Sequence, residues 1–283
     1  MKAMLLKGKN QPLVLETVPD PVPGPGEAVA RVLSCGAGLT IHHVRAGRVP
    51  VQYPRILGHE ITAEIVATGE GVKRLKAGDA VTAYFYLTCG HCYWCRINRE
   101  TLCENFGGYV GRECDGGYAE YIKLPAENFI PLPETMNHKK HAAEIGVICD
   151  AIATPLKVTR KARVMPTDTV AVIGAGGGLG VHMLMVSRWA HARKVIAVDT
   201  KASKFESCVK CGADATIDAS DGKVSEQLIE MTGGKGVDVV FDYVCTKQSI
   251  ESAIGGLNVG GRLVLLAGNS ARFDADGPAI MRK

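Results

Sequence analysis

The sequence contains no run of about 18 apolar residues, the length that a helix needs to cross a bilayer, so a helical membrane span is excluded. It also contains no block of basic residues: 33 Lys and Arg and 29 Asp and Glu are spread along the chain and leave a net charge of +4. Aromatic residues make up only 6% of the chain. Without a basic stripe or aromatic residues for base stacking, we expect neither nucleic acid nor an anionic membrane as a partner.

The sequence also lacks a secretory signal and internal repeats. The apolar stretch in Met1–Lys7 is too short for a secretory signal peptide, and the chain shows no internal repeat or low-complexity segment. Ten cysteines are nevertheless present among the 283 residues. Without an export signal, bound metal and free buried thiols explain cysteines better than disulfides do, so we expect a cytoplasmic protein.

Four of the cysteines are concentrated in residues 89–103. They are Cys89, Cys92, Cys95 and Cys103. Four thiolates complete the tetrahedral coordination of one zinc ion and leave no position for a substrate. The spacing therefore predicts a structural zinc site, and we refer to residues 89–103 as the zinc lobe.

The chain divides into two predicted domains of an α/β protein. Residues 1–150 contain short strand candidates between Pro/Gly clusters, at 28–33, 60–67, 80–86 and 118–123, which is typical of a barrel-like domain. From residue 133 to residue 161 the apolar spacing becomes helical.

Residues 151–283 alternate helices with apolar strands, which indicates a doubly wound parallel sheet. The strand candidates are 169–173, 194–199, 213–217, 237–244 and 262–267. A complete sheet of the common order has six strands. We therefore expect the second domain to be incomplete, with its last strand missing.

A glycine-rich run follows the first strand of the second domain. It comprises Gly174, Gly176, Gly177, Gly178 and Leu179. Such a turn lets the backbone approach a pyrophosphate at a helix N-terminus. Asp199 ends the next strand, where a carboxylate accepts hydrogen bonds from a ribose and repels a 2′-phosphate. This context predicts NAD rather than NADP. The alternative is a tight turn with Asp199 as a loop cap.

The order of zinc lobe, helical segment and glycine run resembles the zinc-containing medium-chain alcohol dehydrogenase family. Residues 58–60, Gly-His-Glu, together with Gly69 and Val72, resemble the zinc signature of that family, with Ala63 where glycine is usual. Residues 116–121 also match. The resemblance implies a GroES-like β-barrel catalytic domain, a Rossmann domain, and a C-terminal return to the first domain that we expect to be missing here.

The resemblance also implies a set of catalytic metal ligands. His59 takes the place of the ligating histidine, and Glu60 lies beside the zinc and can ligate it transiently. Asp150 is the expected third ligand, because Thr154, which matches a cofactor-binding threonine of the family, follows it by four residues. Cys149 is the alternative third ligand.

Two further matches concern the proton and the coenzyme. Thr40 and His43 have the spacing of the family's proton relay, and Lys204 matches a lysine that contacts the adenosine ribose. The first zinc ligand, however, falls on Gly38, and Cys35 lies three residues too early to replace it. One nitrogen and two carboxylates lose soft-ligand selectivity, so other metals or no metal become possible.

We therefore predict a zinc-type alcohol dehydrogenase that transfers a hydride between an alcohol or carbonyl substrate and NAD. One alternative, suggested by Gly38, is a family member without catalytic zinc that reduces an activated carbonyl or alkene. Another is a non-catalytic truncated relative, suggested by the missing sixth strand. Members of the family form homodimers or homotetramers, so the resemblance implies self-association.

Overall fold

The computed structural model describes residues 1–268 together with residues 272, 273, 277 and 280. The chain forms two compact units, Met1–Asp150 and Ala151–Lys283. Each unit contains hydrophobic clusters of its own. None of the described helices is long and apolar enough to cross a membrane.

Short antiparallel strands dominate the first unit. Its strands are β1 (Lys2–Leu6), β2 (Leu13–Thr17), β3 (Glu27–Cys35), β4 (Arg55–Ile56), β5 (Ile61–Thr68), β6 (Ala80–Ala83), β7 (Tyr86–Leu87), β8 (Gly108–Tyr109), β9 (Tyr121–Pro125) and β10 (Phe129–Pro131). Its α-helices are α1 (Leu39–Arg45), α2 (Tyr93–Arg96) and α3 (Ala142–Gly146). Three sheets result, with the orders β10-β6-β5-β3-β9, β2-β1-β4 and β7-β8.

Strand β5 lies at the centre of the five-stranded sheet, between β3 and β6. Its residues Ile61, Ala63 and Ile65 are at most 1% exposed, whereas Val66 on the other face is 41% exposed. Thr62 on that other face is 0% exposed, so both faces are buried at the start of β5, and the alternation of an antiparallel strand with one face on a core appears only towards its end. The buried start of β5 fixes the position of the residues that immediately precede it.

The second unit is a doubly wound parallel sheet, as the sequence predicts. Its strands are β11 (Thr169–Ile173), β12 (Lys194–Asp199), β13 (Ala215–Asp218), β14 (Val237–Asp242) and β15 (Leu257–Leu265), in the order β13-β12-β11-β14-β15. Its α-helices are α4 (Ala153–Ala162), α5 (Gly178–Trp189), α6 (Phe205–Lys210), α7 (Val224–Glu230) and α8 (Lys247–Gly256).

The order of these strands creates a switch point. Strand β11 pairs with β12 on one side and with β14 on the other, so the chain winds outwards in both directions from the centre. In β11, Val170, Ala171 and Val172 are 0% exposed, as expected of a strand covered on both faces. Ligands of such sheets bind outside the carboxyl ends of the strands at this point.

Several strands differ from the sequence prediction. The candidate 80–86 is two strands, because β6 pairs with β5 and β10 whereas β7 pairs with β8 in a separate two-stranded sheet. Strand β15 begins at Leu257, five residues before the predicted start, but its pairing with β14 is irregular there: Leu257 pairs with Val237 and Arg262 with Val239, and Gly260, with a φ of +74°, lies in the bulge between them. The region after the fifth strand lies mostly outside the described residues.

The side chain of Phe241 in β14 is 0% exposed and packs in the hydrophobic core of the second unit, so replacing it tests that core. We expect Phe241→Ala to lower the free energy of unfolding by about 3–5 kcal/mol through the cavity it leaves. Urea unfolding followed by circular dichroism measures this loss. Trp189→Ala is the matched control, since Trp189 is 66% exposed. Equal losses for both variants would contradict the described core.

Candidate functional site

His59 and Glu60 are buried at the entry to β5, with exposures of 9% and 5%. The preceding Gly58 has a φ of +96°, and a Cβ there would lie 2.5 Å from Sγ of Cys35, so only glycine fits. The ring of His59 packs 4.9 Å from the ring of Phe85. The turn at Gly58 and the packed ring therefore hold His59 in one orientation.

Asp150 is the acid that the structure brings to His59. Nε2 of His59 lies 3.4 Å from Oδ2 of Asp150. An ionised carboxylate only accepts hydrogen bonds, so the imidazole nitrogen donates. Cys149 turns away instead: its Sγ lies 3.3 Å from Oγ1 of Thr82, and burial raises the pKa of this thiol.

Glu60 faces the loop that carries Gly36 and Gly38. A Cβ at Gly38 would lie 3.7 Å from Oε2 of Glu60, and a Cβ at Gly36 would lie 2.5 Å from the same oxygen. His59, Glu60 and Asp150 therefore do not bring three ligand atoms together: among the described residues, the only group that does so within 4.8 Å is in the zinc lobe.

Cys35 does not supply the missing ligand. Its Sγ occupies the space beside Gly58 and Gly117, where added Cβ atoms would lie 2.5 and 2.9 Å from the sulfur. Burial raises the pKa of Cys35 to about 12, so the thiol stays neutral. This cysteine packs against the core of the first unit.

Thr40 and His43 lie three residues apart on α1, which places them on one side of the helix. Nδ1 of His43 lies 3.2 Å from Nη1 of Arg48. A guanidinium only donates hydrogen bonds, so Nδ1 accepts and the ring proton is on Nε2. Burial, then the positive charges of Arg48 and His42, lowers the pKa of His43 and keeps the ring neutral.

The sulfur atoms of the zinc lobe form one tight cluster. Sγ of Cys92 lies 3.5 Å from that of Cys95 and 4.0 Å from that of Cys103. Sγ of Cys103 lies 3.6 Å from that of Cys89. Four sulfurs at about 2.3 Å from a tetrahedral zinc ion are about 3.8 Å apart. The quartet therefore has a spacing close to what one zinc ion requires, since all four sulfur atoms lie within 4.8 Å of one another.

Hydrogen bonds and burial act differently on these thiols. The backbone N–H groups of His91 and Cys92 and the amide of Asn105 lower the pKa of Cys89 to about 6. Burial raises the pKa of Cys95 to about 12. A cation beside Cys95 would favour its thiolate, which is how structural zinc stabilises such lobes.

The glycine run forms the turn between β11 and α5. Gly174 has a φ of +79°, and a Cβ at Gly180 would lie 2.2 Å from the carbonyl oxygen of Gly174, so the turn and the helix start touch. Gly177 is the N-cap and Gly178 the first residue of α5, with Leu179 in its first turn. Thr154 lies in α4 of the same unit.

Asp199 and Lys204 are both bonded to the middle of this turn. Oδ2 of Asp199 accepts from the N–H of Gly176 at 2.8 Å, and Nζ of Lys204 donates to the carbonyl of Gly176 at 2.8 Å. Beside them lies a cavity of about 180 Å³ at the carboxyl ends of β11 and β12. Its lining includes Ile173, Val198, Asp199, Val244, Thr246 and Gln248. This cradle fits the adenosine half of a dinucleotide.

Both halves of the chain match known families. Residues 24–134 match the alcohol dehydrogenase GroES-like domain, and residues 178–283 match the zinc-binding dehydrogenase family. An NAD-dependent alcohol dehydrogenase of Sulfurisphaera tokodaii is 32% identical over 260 residues, which are 89% of this chain and 74% of that protein. The chain belongs to the zinc-binding alcohol dehydrogenase family.

Other members of the zinc-binding alcohol dehydrogenase family show the same likeness. An alcohol dehydrogenase of Geobacillus stearothermophilus is 34% identical over 271 residues, 94% of this chain and 77% of that protein. The structure of the alcohol dehydrogenase TADH from Thermus sp. ATN1 superposes with a TM-score of 0.90 at 27% identity, covering 100% of this chain and 82% of that one. The predicted GroES-like and Rossmann folds are confirmed.

One residue of the site, Arg48, carries no signal in the sequence motifs, whereas Gly180 belongs to the glycine-rich run. Arg48 reaches His43 from outside α1, and its role depends on where the chain turns after the helix. Gly180 is the third glycine that the turn requires, one position later than the minimal fingerprint places it. The sequence pattern therefore includes Gly180, whereas only the fold reveals Arg48.

The contact between Arg48 and His43 predicts how the pKa of His43 responds to a mutation of Arg48. Arg48→Met removes a positive charge from the ring, so the pKa of His43 should rise and the ring should protonate at a higher pH than in the unaltered protein. NMR titration of the histidine rings measures this directly. Arg45→Met is the control, since it removes an equal charge from α1 itself. A pKa unchanged by Arg48→Met would contradict the described contact.

Proposed function

We propose that the chain is an NAD-dependent oxidoreductase that interconverts a small alcohol and its carbonyl compound. The observation that carries the proposal is the bond between Asp199 and the N–H of Gly176, which places a carboxylate beside the glycine turn. A carboxylate there accepts from a ribose 2′-OH and repels a 2′-phosphate, which supports NAD over NADP. The relative from Sulfurisphaera tokodaii is named NAD-dependent as well.

The chemistry divides between coenzyme and protein. When bound, the nicotinamide supplies or accepts the hydride. Thr40 offers a hydroxyl to the substrate oxygen, and His43 offers a neutral ring that accepts the proton released during alcohol oxidation. Because Arg48 donates to Nδ1 of His43, uptake of a proton at Nδ1 displaces Arg48, whose side chain is exposed and free to turn towards solvent.

The zinc lobe takes a structural part in this proposal. Its four cysteines would hold the ion and leave no coordination position for a substrate. Zinc there would stabilise the segment from Cys89 to Cys103, whose buried side chains otherwise form only a small cluster of cysteines with Trp94. The lobe contributes to folding and not to the hydride transfer.

A second candidate function is favoured by Gly38. The position of the family's first catalytic zinc ligand has no side chain, so a family member that reduces an activated carbonyl or alkene without zinc also fits. Both candidates use the same coenzyme turn. They differ in whether strong chelation stops turnover, since the second reaction continues without a catalytic metal.

We also propose a cytoplasmic location and a homodimer or homotetramer. The support for the location is that all ten cysteines, each within the described part of the chain, are free thiols. Free thiols in this number suit a reducing compartment. The support for the assembly is the family's habit of self-association, which the resemblance implies.

Thr40 provides the test of the proposed activity. Thr40→Val keeps the shape of the side chain and removes the hydroxyl, so kcat with a panel of small alcohols and carbonyls should fall about 100-fold or more. NADH absorbance measures turnover, and NADH fluorescence measures coenzyme binding, which should not change. Thr17→Val, at an exposed position of β2, is the matched control. A kcat equal to that of the control would contradict the role of Thr40.

A further inference from the structure

Gly38 stands where the family resemblance places the first catalytic zinc ligand, and a glycine has no side chain that could bind a metal. We infer that the chain holds one zinc ion, in the zinc lobe, and that the missing side chain at Gly38 leaves the position at His59 and Asp150 without a metal. The inference concerns the site of the proposed function. The metal count itself needs neither coenzyme nor substrate.

The backbone does not demand a glycine at position 38. Gly38 has φ −75° and ψ 167°, an extended conformation that any residue adopts. The nearest atom to an added Cβ is Oε2 of Glu60 at 3.7 Å, an ordinary contact. Gly36 and Gly58 are different, because an added Cβ would meet another atom at 2.5 Å at each of them. What is absent at Gly38 is therefore a ligand, and not space for one.

No neighbouring side chain among Cys35, Cys149 and Glu60 is placed to serve as the missing metal ligand. The sulfur of Cys35 is packed beside Gly58 and Gly117. Cys149 is bonded to Thr82. The carboxylate of Glu60 lies over the loop at Gly36 and would have to leave it to reach the other two groups. Each of these side chains has a position of its own that ligation would disrupt.

What is left is a pair of donors, Nε2 of His59 and Oδ2 of Asp150, at 3.4 Å from one another. Catalytic zinc sites have three protein ligands and one open position. Two ligands leave half of the coordination sphere to water, and neither is a thiolate, which binds zinc more strongly than a carboxylate does. In this chain the pair is held by its own hydrogen bond instead.

The consequence for the reaction follows from the lost Lewis acid. A zinc ion lowers the barrier to alcohol oxidation by stabilising charge on the substrate oxygen. The hydroxyl of Thr40 is the polar contact that this chain offers in its place, since the Nε2–H of His59 is donated to Asp150. It is sufficient for a double bond already polarised by a neighbouring group, so the substrate class is that of the second candidate function: an activated carbonyl or alkene. This substrate accepts a hydride from NADH and a proton from the hydroxyl of Thr40, which His43 replaces from solvent.

Zinc per chain, measured by mass spectrometry after dialysis against a mild chelator, tests the inference. The unaltered protein should retain about one zinc ion and Gly38→Cys about two, because the thiolate completes a set of three ligands. Gly38→Ala is the matched control, since it adds the β carbon without the sulfur, and should retain about one. Adding His59→Ala to the Gly38→Cys variant should return the count to about one.

Two results would overturn the inference. One is about two zinc ions in the unaltered protein, with one lost in His59→Ala. The other is a Gly38→Cys variant that has the circular dichroism spectrum and melting temperature of the unaltered protein but still retains about one zinc ion. Coenzyme binding is scored separately by NADH fluorescence: a chain with one zinc and no affinity for NADH contradicts the proposed function and supports the metal count.

Discussion

The contact between Nε2 of His59 and Oδ2 of Asp150 joins two segments that are 91 residues apart in the chain. His59 comes from the turn before β5, and Asp150 comes from the irregular segment after α3. A second bond, from Oγ1 of Thr62 to the carbonyl oxygen of Ala142 at 2.8 Å, joins β5 to the start of α3. Breaking a half-buried hydrogen bond of this kind costs about 1–3 kcal/mol when one partner is left unsatisfied.

The two groups of potential ligands in the first unit differ in completeness. The cysteines of the zinc lobe are close in sequence, so a few turns of chain bring four sulfurs to within 4.0 Å of a neighbour. The group at His59 depends on residues far apart in the chain, and its first position is Gly38. One site can bind zinc by local folding alone, whereas the other needs every distant segment to contribute a donor.

How much of this could be predicted from the sequence depends on how local each feature is. The cysteine spacing and the glycine turn with Asp199 are local, and β11 and β12 have the predicted bounds. Strand β4 has only two residues, Arg55 and Ile56, too few to show a periodicity. The turn of Glu60 towards the loop at Gly36 also gives no local signal, because it depends on how β3 pairs with β5.

The same distinction applies to Cys149 and Asp150. The sequence offers both as ligands in adjacent positions, and the choice between them is made by packing: Thr82 of β6 takes the thiol, and His59 takes the carboxylate. Arg48 is a similar case, since a surface arginine has no motif and its effect on His43 arises from proximity alone. Residues that act through a distant partner are the ones that spacing does not reveal.

X-ray absorption at the zinc edge tests the central claim, that zinc in this chain is held by the cysteine quartet and not by His59 and Asp150. The account predicts a single shell of four sulfur atoms at about 2.3 Å from zinc. A second shell of nitrogen or oxygen atoms at about 2.0–2.1 Å, reduced in His59→Ala, would contradict it.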